Sequence, residues 1–333
     1  MDARPTLEQR QLEDAAVRLI ANHGVQAVGD LDDAARRSKL DTALEQAGWR
    51  ELRTGEPGEG PAASGVEAAL VARVLARGAA DTAFVGPLLA HDLLRRAGVE
   101  PDGGPFTIAV TSDLGALATD PAGAVAVDAA GATAALLAVP DGAGFRLATA
   151  AIGEPTTTVD LTRAVAQLAG PATPIDGASL TADDLLAWES LAVALTAADL
   201  VGAMEGAITL AVDYARERRQ YGAPIGSYQA VQHLLAEAHT LAEGAYSAAV
   251  HAAWAADALP PAEARQAAAV AKAYAARAAR TVCETSIQVH GGIGNTWECM
   301  AHVFLRRSLL ATELFGGDGP QLALLAHERL GAR

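Results

Sequence analysis

Hydrophobic residues recur with a helical period at both ends of the chain and with a different pattern in the middle. In the N-terminal third the helical spacing runs through residues 7–19, 40–49 and 66–78. From about residue 178 the helical pattern returns, and it predicts helices over 227–257, 261–290 and 298–314. The chain therefore reads as helical, then mixed, then helical.

Short β-compatible runs occupy the middle of the chain. They lie at 107–110, 124–127, 135–139 and 145–149, and Asp, Gly and Pro residues separate them. The whole pattern predicts an α+β fold that is mainly α. We expect an N-terminal helical domain over 1–100, a small β domain over 101–177 and a C-terminal helical bundle over 178–333.

A long helix opens the C-terminal part. Thr181 is a candidate N-cap, and Asp183 and Asp184 follow in the first turn, where negative charge suits the helix dipole. Gly202 and Gly206 lie inside the same stretch and predict the close approach of a neighbouring helix. Only 4 % of the residues are aromatic, which fits helix packing dominated by Ala, Leu and Val.

Charge and composition narrow the class of function. The chain has 333 residues and a formal net charge of −15, which argues against a nucleic-acid binder. No uncharged apolar run reaches the roughly 18 residues of a membrane span, and the polar, acidic start lacks the pattern of a signal peptide. Cys283 and Cys299 are too few for a disulfide framework, and no His or Cys spacing suggests a metal site. We therefore expect a cytoplasmic protein without a metal or a membrane partner.

The stretch Arg216–Tyr228, RERRQYGAPIGSY, is the first with candidate chemistry. A predicted helix ends there with Arg216, Arg218 and Arg219, before a break at Gly222. Cations at a helix C-terminus are favourable in themselves, so compensation of the dipole is one interpretation. The other is an anion site, because a guanidinium group matches the geometry of a phosphate or pyrophosphate.

Two glycine-rich breaks follow. Residues 288–298, QVHGGIGNTWE, place Gly291, Gly292 and Gly294 after a predicted helix, and residues 313–330, ELFGGDGPQLALLAHERL, hold another break before the last helix. Glycines allow close backbone approach and left-handed conformations, but a plain turn between two helices is the alternative. The first loop does not follow a strand, so a Rossmann fingerprint is not supported.

The three breaks, in this order, resemble the C-terminal four-helix-bundle domain of the acyl-CoA dehydrogenase family. The first resembles the family's R-x-x-F-G-x-x-I-x-x-[FH]-Q run, and the second resembles its Q-x-x-G-G-x-G run. The match is dense over 178–333 and poor in the middle of the chain. The matching residues are Arg218, Tyr221, Gly222, Ile225, Tyr228, Gln229, Gln288, Gly291, Gly292 and Gly294.

This resemblance implies FAD as the cofactor and α,β-dehydrogenation of an acyl-CoA thioester, with an electron-transfer flavoprotein or a similar acceptor. In the family a carboxylate takes the α proton, and flavin N5 takes the β hydride. By the resemblance, Arg218 contacts the FAD pyrophosphate, and Gln288 and Gly292 lie along the adenosine–pyrophosphate portion of a flavin bound mainly by a neighbouring chain. The other implied cofactor-binding residues are Tyr221, Ile225, Tyr228, Val231 and Gly291.

The middle domain departs from the family pattern and resembles a truncated version of it. The family's T-E-P-x-x-G-S-D-like loop and its W-[IT]-[ST]-like strand, which hold the isoalloxazine and the thioester, are both missing from the sequence. Asp160, Thr162 and Arg163 resemble its D-x-T-R step, so the later half of the domain remains. A chain with this deletion is expected to bind the flavin ring poorly by itself.

The catalytic carboxylate also lacks a match. Many members place it in a Y-E-G sequence before the last helix, where this chain reads LFG at 314–316. A minority place it on the first helix of the C-terminal domain, where the ungapped register falls on Ala192 and Glu189 lies one turn earlier. Glu189 is therefore the candidate base on this chain, and a solvated or paired helix glutamate is the alternative. Asp318, the other acid nearby, is expected to cap the last helix.

These losses together resemble the shortened partner chain of actinobacterial acyl-CoA dehydrogenases that assemble as α2β2 tetramers, some of them in steroid breakdown. The first hypothesis is a subunit that completes the FAD site of a full-length homologous partner, and the partner supplies the base. Two alternatives stay open: a flavin-free scaffold or regulatory homologue, and a homomeric enzyme that uses Glu189 as its base. The sequence does not indicate the acyl group of the substrate.

Overall fold

The N-terminal part of the molecule is helical, as its pattern predicts. The computed structural model describes residues 4–55, 60–100 and 104–331, so the domain ends predicted at residues 1, 101 and 333 lie outside the described residues. Thr6 and Ser64 form capping boxes at the starts of the first and third helices. The helices of this part are α1 (Leu7–His23), α2 (Ala34–Gln46), α3 (Gly65–Arg77) and α4 (Val85–Ala97).

A closed barrel of five strands follows. The strands are β1 (Phe106–Val110), β2 (Val125–Val127), β3 (Ala134–Asp141), β4 (Gly144–Thr156) and β5 (Val165–Leu180). Their order is β1-β2-β5-β4-β3, and the barrel closes by parallel pairing of β1 with β3. Each predicted β run overlaps a strand. β5 was not evident from the pattern because most of its residues are exposed, and it continues past residue 177, the predicted end of this domain.

The C-terminal part contains the predicted helices: the bounds of 261–290 match, and the ends of the others differ by a few residues. They are α5 (Ala182–Glu217), α6 (Gln229–Ala258), α7 (Pro261–His290), α8 (Ala301–Glu313) and α9 (Asp318–Leu330), and β6 (Arg219–Gln220) and β7 (Ala223–Pro224) form a small hairpin after α5. Thr181 caps α5, since its Oγ1 accepts from Asp184 N at 3.1 Å. The expectation for Asp318 was wrong. Gly317 is the N-cap of α9, and the Asp318 carboxylate lies in the first turn and accepts from Arg277 Nε at 2.8 Å.

Helix α5 is the centre of the core and packs against α3, α6, α7 and α8. A Cβ on Gly202 would lie 2.0 Å from the carbonyl oxygen of Arg73, and one on Gly206 would lie 2.4 Å from the Phe304 ring, so the predicted close approach is confirmed. By length and composition alone α5 could cross a membrane, with a mean hydropathy of 1.6 in its most apolar window. However, 89 % of that window is buried inside the molecule, which is typical of a core helix.

A buried charged cluster joins the barrel to the helices. Asp199 of α5 accepts from Arg163 Nη2 at 2.7 Å and from Arg307 Nη2 at 2.6 Å. Arg163 also pairs with Asp128, and Arg307 Nη1 donates to Thr162 Oγ1 at 2.6 Å. Burial alone would raise the pKa of Asp199, but the two guanidinium groups outweigh it and lower that pKa. The D-x-T-R step therefore docks the barrel onto α5 and α8.

Candidate functional site

The arginine-rich motif forms a tight hairpin at the end of α5. Arg218 ends the helix as its C-cap, and its carbonyl oxygen accepts from Ile225 N at 2.8 Å. Tyr221 and Gly222 occupy the turn with φ values of +52° and +83°, and this left-handed pair matches the twist of a two-residue hairpin. Tyr228 Oη donates to the carbonyl oxygen of Gln220 at 2.9 Å and fixes the base of the hairpin. The Tyr221 side chain is 97 % exposed as a result.

The glycine-rich motif forms the turn between α7 and α8. α7 ends at His290, and Gly291 follows with a φ of +66° and a ψ of −142°, a conformation that favours glycine. A Cβ built on Gly291 or on Gly292 would meet no atom within 4 Å, so the backbone of both residues faces open space. Gln288, on the last turn of α7, is exposed. The motif thus presents bare backbone beside an exposed amide side chain.

The fold brings these two motifs together. The His290 ring stacks on Tyr214 of α5 with centroids 4.5 Å apart, and His290 Nδ1 contacts the carbonyl oxygen of Ser286 at 2.7 Å. Beside this stack, Val289 packs in one apolar cluster with Ile225 and Val231. Arg218, the hairpin and the glycine loop therefore lie on adjoining parts of one surface, which we call the glycine-loop face and define by Arg218, Tyr221, Gln288, Gly291 and Gly292.

Positive charge on the glycine-loop face is not neutralised within the described part of the chain. Arg216 pairs with Asp213 at 3.3 Å, whereas Arg218 and Arg219 form no ion pair with any described residue. An exposed guanidinium beside open glycine backbone and an exposed amide can bind the two phosphates of a dinucleotide. Arg218, Gln288, Gly291 and Gly292 therefore fit the pyrophosphate and adenosine portion of FAD, whereas Ile225 and Val231 pack against Val289.

The position of the family's usual base is filled by Phe315, which is 5 % exposed. The Phe315 ring meets Trp188 edge-to-face with centroids 5.7 Å apart, and Trp188 Nε1 donates to the carbonyl oxygen of Leu89 at 2.9 Å. The Phe315 backbone has a φ of +60°. Two hydrogen bonds fix it: its N–H donates to Leu114 O at 2.8 Å, and its carbonyl oxygen accepts from Gln321 Nε2 at 2.7 Å. An aromatic side chain cannot take a proton, so this turn supplies no base.

A buried lysine supports the same turn. Lys272 Nζ on α7 donates to Leu314 O at 2.7 Å, to Ala311 O at 2.5 Å and to Thr196 Oγ1 at 3.1 Å. Burial lowers the pKa of Lys272 to about 7. Sequence reasoning missed this residue, although one of the chain's two lysines interrupts the alanine-rich run of α7. The Tyr214–His290 stack was missed as well, because it joins residues far apart in the sequence.

Glu189, the candidate base on this chain, lies next to the Phe315 turn. Its Oε2 accepts from Arg265 Nη1 at 2.7 Å, so a guanidinium group occupies one of its oxygens. Glu189, Arg265 and Phe315 line a cavity of about 110 Å³. Pockets for drug-sized ligands measure roughly 300–1,000 Å³. We call the region of Trp188, Glu189, Lys272 and Phe315 the Phe315 plug, since Phe315 fills the position of the family's usual base and the cavity beside it is smaller than that range.

Comparison with known proteins agrees with this architecture. The family model "Acyl-CoA dehydrogenase, C-terminal domain" matches residues 181–330. The chain is 32 % identical to acyl-CoA dehydrogenase IpdE2 of Mycobacterium tuberculosis over 97 % of this chain and 98 % of that protein. Its fold is similar to a solved steroid ACAD variant, Tcur3481-Tcur3483, with a TM-score of 0.81 and 21 % identity over 98 % of this chain and 99 % of that one.

A second solved structure has the same fold along its whole length. A chain of the ChsE4-ChsE5 complex from Mycobacterium tuberculosis matches with a TM-score of 0.80 and 21 % identity, over 100 % of this chain and 100 % of that one. At that level of identity the likeness concerns the fold alone. The sequence relative, however, exceeds 30 % identity and aligns along nearly the entire length of both proteins. The chain therefore belongs to the acyl-CoA dehydrogenase family.

Proposed function

We propose that this chain is the flavin-completing subunit of a heteromeric, FAD-dependent acyl-CoA dehydrogenase. One observation carries the proposal: Arg218 is exposed and forms no ion pair with any described residue, on the same surface as an open glycine loop, while Phe315 fills the chain's own base position. Such a chain offers half of a cofactor site and no acyl site. Two solved structures of the same fold are named for pairs of different chains, which supports a homologous partner. The α2β2 stoichiometry is part of the proposal.

In this proposal the chain binds the dinucleotide end of a flavin whose ring lies in the partner. Arg218 neutralises the pyrophosphate, and Gln288, Gly291 and Gly292 line the adenosine side with an amide and bare backbone. Tyr221 of the hairpin, together with Ile225, Tyr228 and Val231 in the segment after it, surrounds that end of the cofactor. When bound, FAD supplies the hydride acceptor for α,β-dehydrogenation of the acyl-CoA.

The base comes from the partner chain in this proposal. Phe315 cannot accept a proton, and Arg265 holds the Glu189 carboxylate in an ion pair beside a cavity of about 110 Å³. A homomeric enzyme based on Glu189 would need both the pair and the Phe315 plug to open. A flavin-free scaffold would have no use for an exposed Arg218 on the same surface as the open glycines. The substrate that we propose is the CoA thioester of a lipid or steroid-derived acid, and the reaction takes place in the cytoplasm. An electron-transfer flavoprotein or a similar acceptor takes the electrons from the reduced flavin.

The proposal is tested by producing the chain alone and together with a full-length homologue. We expect the isolated chain to bind little flavin, and the complex to be yellow and to lose its flavin absorbance under anaerobic addition of acyl-CoA. A panel of straight-chain, branched and steroid-derived thioesters identifies the acyl group. Full flavin loading of the isolated chain, or acyl-CoA oxidation without a partner, would overturn the proposal.

A further inference from the structure

Exposed aromatic surface is concentrated on the two motif loops. Among residues 4–55, 60–100 and 104–331, the most exposed aromatic side chains are Tyr221, at 97 %, and Trp297, at 64 %. Tyr221 is on the hairpin, and Trp297 follows the glycine loop. Trp and Tyr are enriched among the residues that dominate the binding energy of protein–protein interfaces. Tyr221 already has a role in the proposed function, but Trp297 does not.

The Trp297 indole is held in place by two residues of α8. The His302 ring meets it edge-on, with centroids 5.1 Å apart and an interplanar angle of 80°. The Arg306 guanidinium carbon lies 5.5 Å from the indole centroid. His302 and Arg306 are one helical turn apart, so they reach the same side of the helix. We call these three residues the Trp297 cluster. Because the indole is already positioned, it would lose little conformational freedom on binding a partner.

One member of the Trp297 cluster, His302, lacks a hydrogen-bond partner among the described residues. His302 is only 8 % exposed, yet neither its Nδ1 nor its Nε2 has a hydrogen-bond partner among the described residues. Buried polar groups in proteins are almost always paired, and an unpaired one is unfavourable. A partner surface that covers the indole would complete the burial of this cluster.

Two features indicate which partner would cover Trp297: its position on the glycine loop and the positive charge of the surrounding surface. Trp297 follows Gly291 and Gly292 on one loop, so a chain that holds the flavin against these glycines also lies next to the indole. The same surface carries Arg218 and Arg219, which form no ion pair within the part of the chain that the structure describes. Two copies of this chain that met face to face would bring like charges together, which disfavours self-association here.

We propose that Trp297 is the anchor by which this chain docks onto the flavin-bearing homologous chain, with His302 and Arg306 holding the indole in its docking position. This inference rests on the proposed function and adds the contact that joins the two subunits. Trp, Tyr and Arg dominate the energetics of protein–protein interfaces, and their surroundings contribute little.

The test measures dissociation of the co-purified complex on dilution, by mass photometry, for matched variants of this chain. We expect Trp297→Ala to weaken the complex about thirty-fold or more, as a hot-spot residue does. Trp297→Phe keeps an aromatic ring and should recover much of that loss. Leu7→Ala is the control, because Leu7 is 59 % exposed on α1, far from both motifs in the sequence, and it should dissociate like the wild type. Thermal unfolding of each isolated chain checks that the variants fold equally.

Three results would overturn the assignment. The Trp297→Ala complex could dissociate at the wild-type concentration, or it could stay assembled and lose flavin, in which case the indole contacts the cofactor. The isolated chain could also form an oligomer that depends on Trp297, in which case the partner is a second copy. A failure of the proposed function looks different, since the wild-type complex itself would then not form or would hold no flavin.

Discussion

The glycine-loop face and the Phe315 plug handle polar and aromatic groups in opposite ways. At the plug, Lys272 donates to three oxygens, Glu189 is paired with Arg265, and Phe315 is buried against Trp188. On the face, Arg218 has no ion-pair partner in the described chain and Tyr221 is almost fully exposed. The polar and aromatic groups of the plug are paired or packed within the chain. Arg218 and Tyr221 on the face are exposed and can contact a ligand or a partner chain.

The difference separates the Phe315 plug, which the chain's own side chains fill, from the glycine-loop face, which is proposed to share a cofactor with a partner chain. In the family the base and the acyl group meet where this chain has the plug, and here Phe315 stands in place of the acid beside a cavity of about 110 Å³. In the proposed function the dinucleotide end of the cofactor binds at the glycine-loop face, where Arg218 is exposed and the backbone of Gly291 and Gly292 is open. The proposal therefore assigns cofactor binding to this surface, whereas the buried contacts of the plug contribute to stability.

The largest effect that separates the two regions is expected from Phe315→Ala. Removal of a buried aromatic ring leaves a cavity and should lower the free energy of unfolding by about 3–5 kcal/mol. Tyr221→Ala removes an exposed ring, so stability should change by less than about 0.5 kcal/mol, while flavin binding by the complex falls. Denaturant unfolding of the isolated variants measures the first quantity. Equal losses of stability for the two variants would contradict the comparison, and Phe315→Leu serves if the alanine variant does not fold.

A pH-dependent effect is expected from Lys272. Its pKa is lowered to about 7 in the folded chain and is near 10.5 for the free side chain, so between these values the unfolded chain binds a proton that the folded chain does not. Stability from this group therefore rises with pH in that window, and the destabilisation is fully present below pH 7. The wild type should gain about 2–3 kcal/mol over Lys272→Met between pH 7 and pH 9.

The matched control for this pH series is Lys39→Met, the chain's other lysine, which is exposed on α2. Its stability should follow the wild type at every pH. If Lys272→Met and the wild type keep a constant difference in unfolding free energy across the window, the buried amine does not act as described.

On the glycine-loop face, Arg218→Ala should weaken flavin binding to the complex by about 1.5–3 kcal/mol, because it removes a charge-assisted contact. Arg216→Ala is the control, since that guanidinium is already paired with Asp213. Fluorescence of released flavin on dilution measures both affinities. An unchanged flavin affinity in the Arg218 variant would remove that residue from the site.

The smallest effect is expected from Glu189→Gln. The pair with Arg265 is partly exposed, so its loss should cost no more than about 1 kcal/mol of stability, and the turnover of the complex should stay within about twofold of the wild type. Dye reduction by acyl-CoA measures the turnover. A loss of a hundredfold or more would make Glu189 the base and would contradict a closed acyl site.

Much of the fold was predictable, because it depends on local signals. The Thr181 cap, the helical periods and the glycine pair at Gly202 and Gly206 all act over a few residues. Strand β5 was not evident, since most of its residues are exposed and its run lacks the alternation of a half-buried strand. The cap assigned to Asp318 failed because its carboxylate pairs instead with Arg277, which is distant in the sequence.

The candidate site was predictable only as far as the motifs reach. Arg218, Gln288 and the glycines could be named from the resemblance, and their roles toward FAD remain predictions. The absence of an acid at 314–316 could be read from the sequence, but the closure of the pocket could not. That closure depends on tertiary contacts of Lys272, Gln321 and Trp188. Such contacts join residues from different segments, so the sequence of one segment does not predict them.

The most direct test of a shared cofactor site and a closed acyl site is the number of flavins in the purified complex. The ratio of flavin to protein, with the subunit ratio fixed by mass spectrometry of the intact assembly, gives this number. We predict about one flavin for each pair of chains, as expected where two different subunits build one site between them. A ratio of about two for each pair would mean that this chain binds a flavin of its own, and it would contradict the account.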